Sequence, residues 1–169
     1  MATTDLQQLI YVSHSHGQLD APALDRILDA ARSFNPTIGV TGLLLYHDGS
    51  FLQVLEGPQA SIDMLMQKIS QDRRHRGLLV MSSKPVASRV FPDWSMGYVP
   101  AGSLSGAQRE GAFNLFAYAA DRDVVPARRA PLVDTHIASF LSTFREFEDA
   151  SPAQDAPSRF ADVAAQGDL

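Results

Sequence analysis

The stretch "VTGLLLYHDGSFLQVLEG", residues 40–57, constrains this chain more than any other. Two apolar runs flank "HDGS", and that arrangement is a strong β-hairpin signal. The second run carries an anomaly. Phe51, Leu52, Val54 and Leu55 are side chains of a buried strand, yet Gln53 stands among them. A primary amide in apolar surroundings loses roughly 1–3 kcal/mol unless its donors and acceptor find partners. What Gln53 bonds to is therefore a question about function as well as fold.

The flanking segments complete a repeating order. Residues 6–13, "LQQLIYVS", read as a strand. "LDAPALDRILDAARSFN" reads as a helix, with Asp20 as cap and Pro22 in the first turn. Leu24, Ile27, Leu28, Ala31 and Phe34 recur at helical spacing, and Asp25, Arg26, Asp29 and Arg32 take the other face. Pro36 disfavours continuation past Asn35. After the hairpin, "PQASIDMLMQKISQDRRH" reads as a second helix with Ile62, Leu65, Met66 and Ile69 inward. "GLLVMSS" at 77–83 and "WSMGYV" at 94–99 read as two further strands.

The expected fold is thus α+β: a ferredoxin-like β-α-β-β-α-β sheet with a fifth strand, two helices on one face and additional C-terminal helices. Three regions are expected: a domain over 1–100, a helical extension over 101–150, and a mobile tail over 151–169 rich in Ala, Pro, Ser and Asp. Helices are expected over about 104–120 and 133–149, joined by "DRDVVPARRAP". They should cover the sheet's second face or mediate assembly.

Charge and composition exclude several function classes. Residues 1–100 carry 8 Lys/Arg against 9 Asp/Glu, and residues 101–169 carry 6 against 10. Nucleic-acid binders show a basic footprint, and here the sole basic cluster is "DRRHR" at 72–76, readable as a solvated helix end. The absence of cysteine removes disulfides and thiolate chemistry. No run approaches the ~18 apolar residues of a membrane span, and no signal peptide is evident. A cytoplasmic protein is expected. His14 and His16 have chelating spacing but are only two ligands, with no nearby Cys or Asp/Glu group of ligand spacing and with Asp20 read as the helix cap, so no metal site is expected. No phosphate loop or nucleophile elbow occurs.

Strand parity gathers the remaining polar residues. Leu9, Tyr11 and Ser13 share one face, as do Phe51, Gln53 and Leu55, and as do Trp94 and Met96. If those faces look toward the two helices, Tyr11, Gln53, Trp94 and Met96 converge. Each has an ordinary explanation: a strand tyrosine packs, a buried glutamine bonds backbone, Trp and Met fill cores, and Asn35 before a proline stops a helix. Together, Tyr, Gln and Asn supply hydrogen bonds in both directions, which suits a flat, heteroatom-rich ligand between helices.

At these residues the chain resembles the BLUF family of blue-light sensors that use FAD, in its short single-domain form. The resemblance covers roughly residues 5–100 and runs through "LIYVS", "FNPTIGVTGLLLY", "FLQVLEGP", "DRRHRG" and "FPDWSMGY" in family order. It implies that Tyr11 is the photoactive tyrosine, Gln53 the switching glutamine, and Asn35 a hydrogen-bonding partner of the flavin. It implies that Trp94 and Met96 are Gln53's partners on the last strand, and that Asp72, Arg74 and His75 lie near the flavin, which weakens the solvated-end reading of that cluster. Ser13 would lie beside the tyrosine; Ile27, Phe34 and Ile38 would pack on or near the ring. FAD is the implied cofactor, with FMN or riboflavin as substitutes. The implied activity is photochemical, without a released product, so the chain is not expected to be an enzyme. No cyclase or phosphodiesterase segment is recognisable after residue 100. A signalling protein in trans or a homo-oligomer, dimer or larger, is the implied output, without nucleic acid or membrane. The competing reading is a ferredoxin-like regulatory module that binds a colourless small molecule or a protein.

Overall fold

The computed structural model describes residues 5–120 and 134–144. Its elements run β1 (Leu6–Ser15), α1 (Ala21–Phe34), β2 (Thr41–His47), β3 (Ser50–Pro58), α2 (Gln59–Gln71), β4 (His75–Pro85), β5 (Gly97–Pro100) and α3 (Gly106–Ala120). A further helix, α4, occupies 134–144. The strands form one sheet in the order β4-β1-β3-β2-β5. Its first four strands pair antiparallel, and β5 joins the edge parallel to β2. The ferredoxin-like α+β expectation holds.

Local chemistry explains the elements. The β2–β3 hairpin turns at Asp48 and Gly49, both at positive φ (48° and 78°), as a two-residue primed turn requires. Asp20 caps α1, its Oδ1 accepting from Ala23 N at 2.8 Å. The helix gives way after Phe34 to a 3₁₀ turn over Asn35–Ile38, which ends on Gly39 in the left-handed region. Ser105 and Gln108 exchange side chain-to-backbone bonds at the start of α3, a capping box.

Both faces of the sheet are covered, which is why β2 and β3 read as nearly continuous apolar runs. Leu9, Tyr11, Leu44, Phe51 and Leu55 pack beneath α1 and α2 with Leu24, Leu28, Ile62 and Leu65. On the other face Ile10, Val12, Leu43, Leu45, Leu52 and Val54 meet Leu115 of α3 and Ile137, Phe140, Leu141 and Phe144 of α4. The C-terminal helices therefore cover the second face. The linker expected at 121–131, the ends of the helix expected over 133–149 and the tail at 151–169 lie outside the described residues.

Two boundaries depart from expectation. The second helix was to run through His75, but α2 ends at Gln71 because Asp72 turns extended (ψ 115°) and its carboxylate binds the Arg74 N–H at 2.9 Å. His75 consequently opens β4. The last strand was to begin at Trp94, but β5 begins at Gly97. Residues 86–96 instead cross from β4 at one sheet edge to β5 at the other, with Val90 and Phe91 buried on the α3–α4 side.

Close strand packing makes one glycine indispensable. A Cβ on Gly42 would stand 1.9 Å from the Val54 carbonyl oxygen, a backbone atom with no freedom to yield, whereas one on Gly106 meets nothing within 4 Å. Gly42→Ala is expected to cost about 3 kcal/mol or more, and Gly106→Ala to change stability by less than about 1 kcal/mol. Urea unfolding of the two variants measures the difference.

Candidate functional site

The antiparallel register of β1 and β3 sets Tyr11 directly opposite Gln53, and β2 brings Leu44 against Gln53 from its other side. Both polar side chains point to the α1–α2 face, Tyr11 fully buried and Gln53 7% exposed. The Tyr11 hydroxyl donates to Gln53 Oε1. Gln53 Nε2 donates to the Met96 sulfur at 3.4 Å. The amide in the apolar strand is thus bonded to a phenol and a thioether, not to backbone.

Electrostatics keep the Tyr11 proton in place for these bonds. Burial, and secondarily the charge of Asp72, pushes the Tyr11 phenol far above its ordinary range. The hydroxyl therefore keeps its proton, which it gives to Gln53 Oε1. That leaves the amide oxygen facing Tyr11 and the amide N–H groups facing the soft sulfur acceptor.

Met96 is held there by its neighbours' backbone. Arg32 Nε donates to the Met96 carbonyl at 3.0 Å, Asn35 Nδ2 to the Ser95 carbonyl at 3.1 Å, and Gly42 N to the Trp94 carbonyl at 2.8 Å. Asn35 is buried, and its Oδ1 receives no hydrogen bond among the described residues. Trp94 does not join the cluster. Because β5 starts at Gly97, strand parity does not govern residues 94–96, and the indole packs on the opposite face against Phe91 (ring centroids 5.2 Å) and over Gly97. The expected convergence of four residues is a contact of three.

The remaining candidates form the surroundings. Ile27, Phe34 and Ile38 are half-buried against the Tyr11 face. Lys68 of α2 sits 3.7 Å from the centre of the Phe34 ring, bridging the two helices. His75 Nδ1 lies 2.9 Å from the buried Ser13 Oγ, and its ring stacks obliquely on Phe51. Burial pulls the imidazole below its ordinary range, against the opposing pull of Asp72. Asp72 and Arg74 pair with each other at 2.6 Å near the surface, and the hydrogen bond from Arg74 holds the Asp72 carboxyl below its usual range. His14 spends Nδ1 on Ser50 at 3.1 Å. Among the described residues no three His, Cys, Asp or Glu gather as a metal site would require, and no helix is long and apolar enough to cross a membrane.

Sequence reasoning missed Arg32 and Lys68. Arg32 stands on the charged side of α1, where helical spacing reads it as solvated, and Lys68 likewise carries no motif. Their partners come from distant segments, so local pattern holds no signal for either.

Comparison with known proteins gives these contacts a context. Residues 6–97 match the BLUF family model, described as sensors of blue-light using FAD. The photoactivated adenylate cyclase subunit beta of Euglena gracilis is 36% identical over 95 residues, covering 55% of this chain and 11% of that protein. The blue light- and temperature-regulated antirepressor BluF of Escherichia coli (strain K12) is 31% identical over 86 residues, 51% of this chain and 21% of that one. The chain therefore spans only a small part of these relatives. Among solved structures, BlrB, a BLUF protein in its dark state, shares 32% identity and superimposes with a TM-score of 0.59 over 82% of this chain and 96% of its own. BlsA in its photo-activated state gives 0.65 at 26% identity, over 82% and 94%. Matched over more than half its length, this chain belongs to the BLUF family of blue-light sensors that use FAD.

Proposed function

We propose that this chain is a blue-light photoreceptor in which FAD binds between α1 and α2, and Tyr11, Gln53 and Met96 form the switch. The observation that carries this reading is the unbroken buried chain from the Tyr11 hydroxyl through the Gln53 amide to the Met96 sulfur. The residues present fit a flavin. Asn35 Oδ1 is a buried acceptor without a donor among the described residues, and Gln53 Nε2 has a second N–H beyond the one given to Met96. Ile27, Phe34 and Ile38 offer half-buried apolar surface to a flat ring, while Arg74 and His75 supply hydrogen-bond donors at the β4 end. FMN or riboflavin carries the same ring and would engage the same inner residues.

A bound flavin supplies blue-light absorption and an excited state that accepts an electron. With flavin bound, Tyr11 would be its electron donor. A buried phenol that loses an electron becomes a strong acid, and its proton passes along the existing hydrogen bond to Gln53 Oε1. The protonated amide would turn, exchanging its donor and acceptor ends, or would keep the new proton on Oε1 and give up one from Nε2 in its place. When electron and proton return to Tyr11, Gln53 is left in the altered pose, because burial offers it no water with which to trade partners. Met96 then faces an acceptor where it faced an N–H, and the contact is lost.

The signal leaves through the segment that carries Met96. That segment runs into β5 and on to α3, so a shift at Met96 changes how α3 and α4 sit on the sheet. The output we propose is altered contact with a signalling protein in trans or with further copies of the chain.

Purified protein is expected to be yellow and, under blue light, to show a small, thermally reversible red shift of the flavin band. Tyr11→Phe and Gln53→Leu should retain flavin and lose that shift; an unaltered shift in either variant overturns the switch. Asn35→Ala is expected to weaken FAD binding by roughly tenfold, read by fluorescence titration. A pH signature follows from Tyr11. Its folded-state pKa lies above the ordinary 10.0, so its contribution to stability is full below pH 10 and declines as the pH rises further, where only the unfolded chain ionises. Urea midpoints between pH 9 and 11 should fall more steeply for the natural chain than for Tyr11→Phe.

A further inference from the structure

Three residues beyond Gln53 on β3, and therefore on the sheet's other face, stands a carboxylate that the proposed photochemistry does not use. Glu56 is fully buried. Its Oε1 accepts from Gln8 Nε2 at 2.7 Å, both its oxygens accept from Val90 N at 2.9 Å, and Oε2 accepts from Phe91 N at 2.9 Å. Arg89 secures the same spot from the chain side, its guanidinium donating to the Glu56 carbonyl (2.6 Å), Thr41 Oγ1 (2.7 Å) and the Gly39 carbonyl (2.7 Å). Residues 89–91 are thereby pinned across the ends of β2 and β3.

The pinned residues head the stretch that delivers Met96. From Phe91 the chain passes Trp94, whose carbonyl takes the Gly42 N–H, and crosses to the α1–α2 face, where Met96 meets Gln53. Only four residues separate Phe91 from Met96. Phe91 also touches Trp94 and, at 5.5 Å, Phe144 of α4.

We infer that Glu56 is a positioning residue for the Gln53–Met96 contact: by holding the Val90 and Phe91 amides on one face of the sheet, it sets where Met96 lies on the other. With those amides fixed, displacement of Met96 is confined to residues 92–95 and reaches Phe91 and Phe144 through Trp94. Without the anchor, residues 89–93 shift against carbonyls still held by Gly42, Asn35 and Arg32, and the Met96 sulfur moves with that strain. The light-dependent arm of this inference rests on the sensor reading above; the dark arm does not.

The test uses the full chain with FAD added and two variants, Glu56→Gln and Arg89→Ala. The first turns an N–H₂ toward N–H donors; the second removes the neighbouring anchor and leaves Glu56 intact. In the dark, exchange of the Val90 and Phe91 amides should accelerate by roughly tenfold or more in Glu56→Gln. The Met96 methyl resonance should move in both variants while that of Met64, exposed on α2, stays put. Under illumination, recovery of the dark spectrum should quicken several-fold. An unmoved Met96 resonance in both variants, or unchanged exchange at Val90 and Phe91 in Glu56→Gln, overturns the inference. If the natural chain shows no red shift, the sensor reading fails, and the dark measurements still decide the role of Glu56.

Discussion

The pairing of Tyr11 with Gln53 across the β1–β3 ladder is the constraint on which the rest of the structure depends. Side chains alternate along a strand, so a slip of one residue would send one of these groups to the α3–α4 face. Each would then lie in an apolar layer without its partner, at a cost of roughly 1–3 kcal/mol per unsatisfied group. The hydrophobic pattern on both sides of β1 and β3 holds this register, the Asp48–Gly49 turn holds that of β2 against β3, and the polar pair is the product.

That ladder carries a second polar pair. Gln8 lies opposite Glu56 as Tyr11 lies opposite Gln53, three residues away and on the other face. Both pairs reach the same connection, residues 86–96, one through Met96 and the other through the amides of Val90 and Phe91. This crossing segment is irregular because it must pass from one sheet edge to the other and present side chains to both faces. Trp94 and Met96 stand two residues apart yet face opposite sides, which strand alternation forbids, and β5 accordingly begins only at Gly97.

Burial on two sides also suits the site to the switch proposed above. Tyr11 is fully buried and Gln53 nearly so, and their side chains bond each other and the Met96 sulfur. The other face offers a continuous aromatic path, Trp94 to Phe91 to Phe144, from the crossing segment to α4. In the signalling route proposed above, these packed rings would transmit a shift, because close-packed interiors do not absorb it.

By itself, the sequence determined the order of the elements, the hairpin turn, the capping of α1, the apolar faces of both helices, and the placing of Tyr11 and Gln53 on like-facing positions. These depend on periodicity and on residues acting within a few positions of themselves, which is information a linear chain carries. Its motifs also carried the family. Where α2 stops, where β5 begins and which way Trp94 turns were decided only in three dimensions. Asp72 ends its helix by bonding the Arg74 amide and guanidinium, and Trp94 turns away because its backbone is claimed by Gly42 of a distant strand. Arg32, Lys68 and Glu56 gained their roles the same way. Each is a charged side chain that spacing assigns to solvent or leaves unexplained, and each finds its partner only when segments far apart in the chain are brought together.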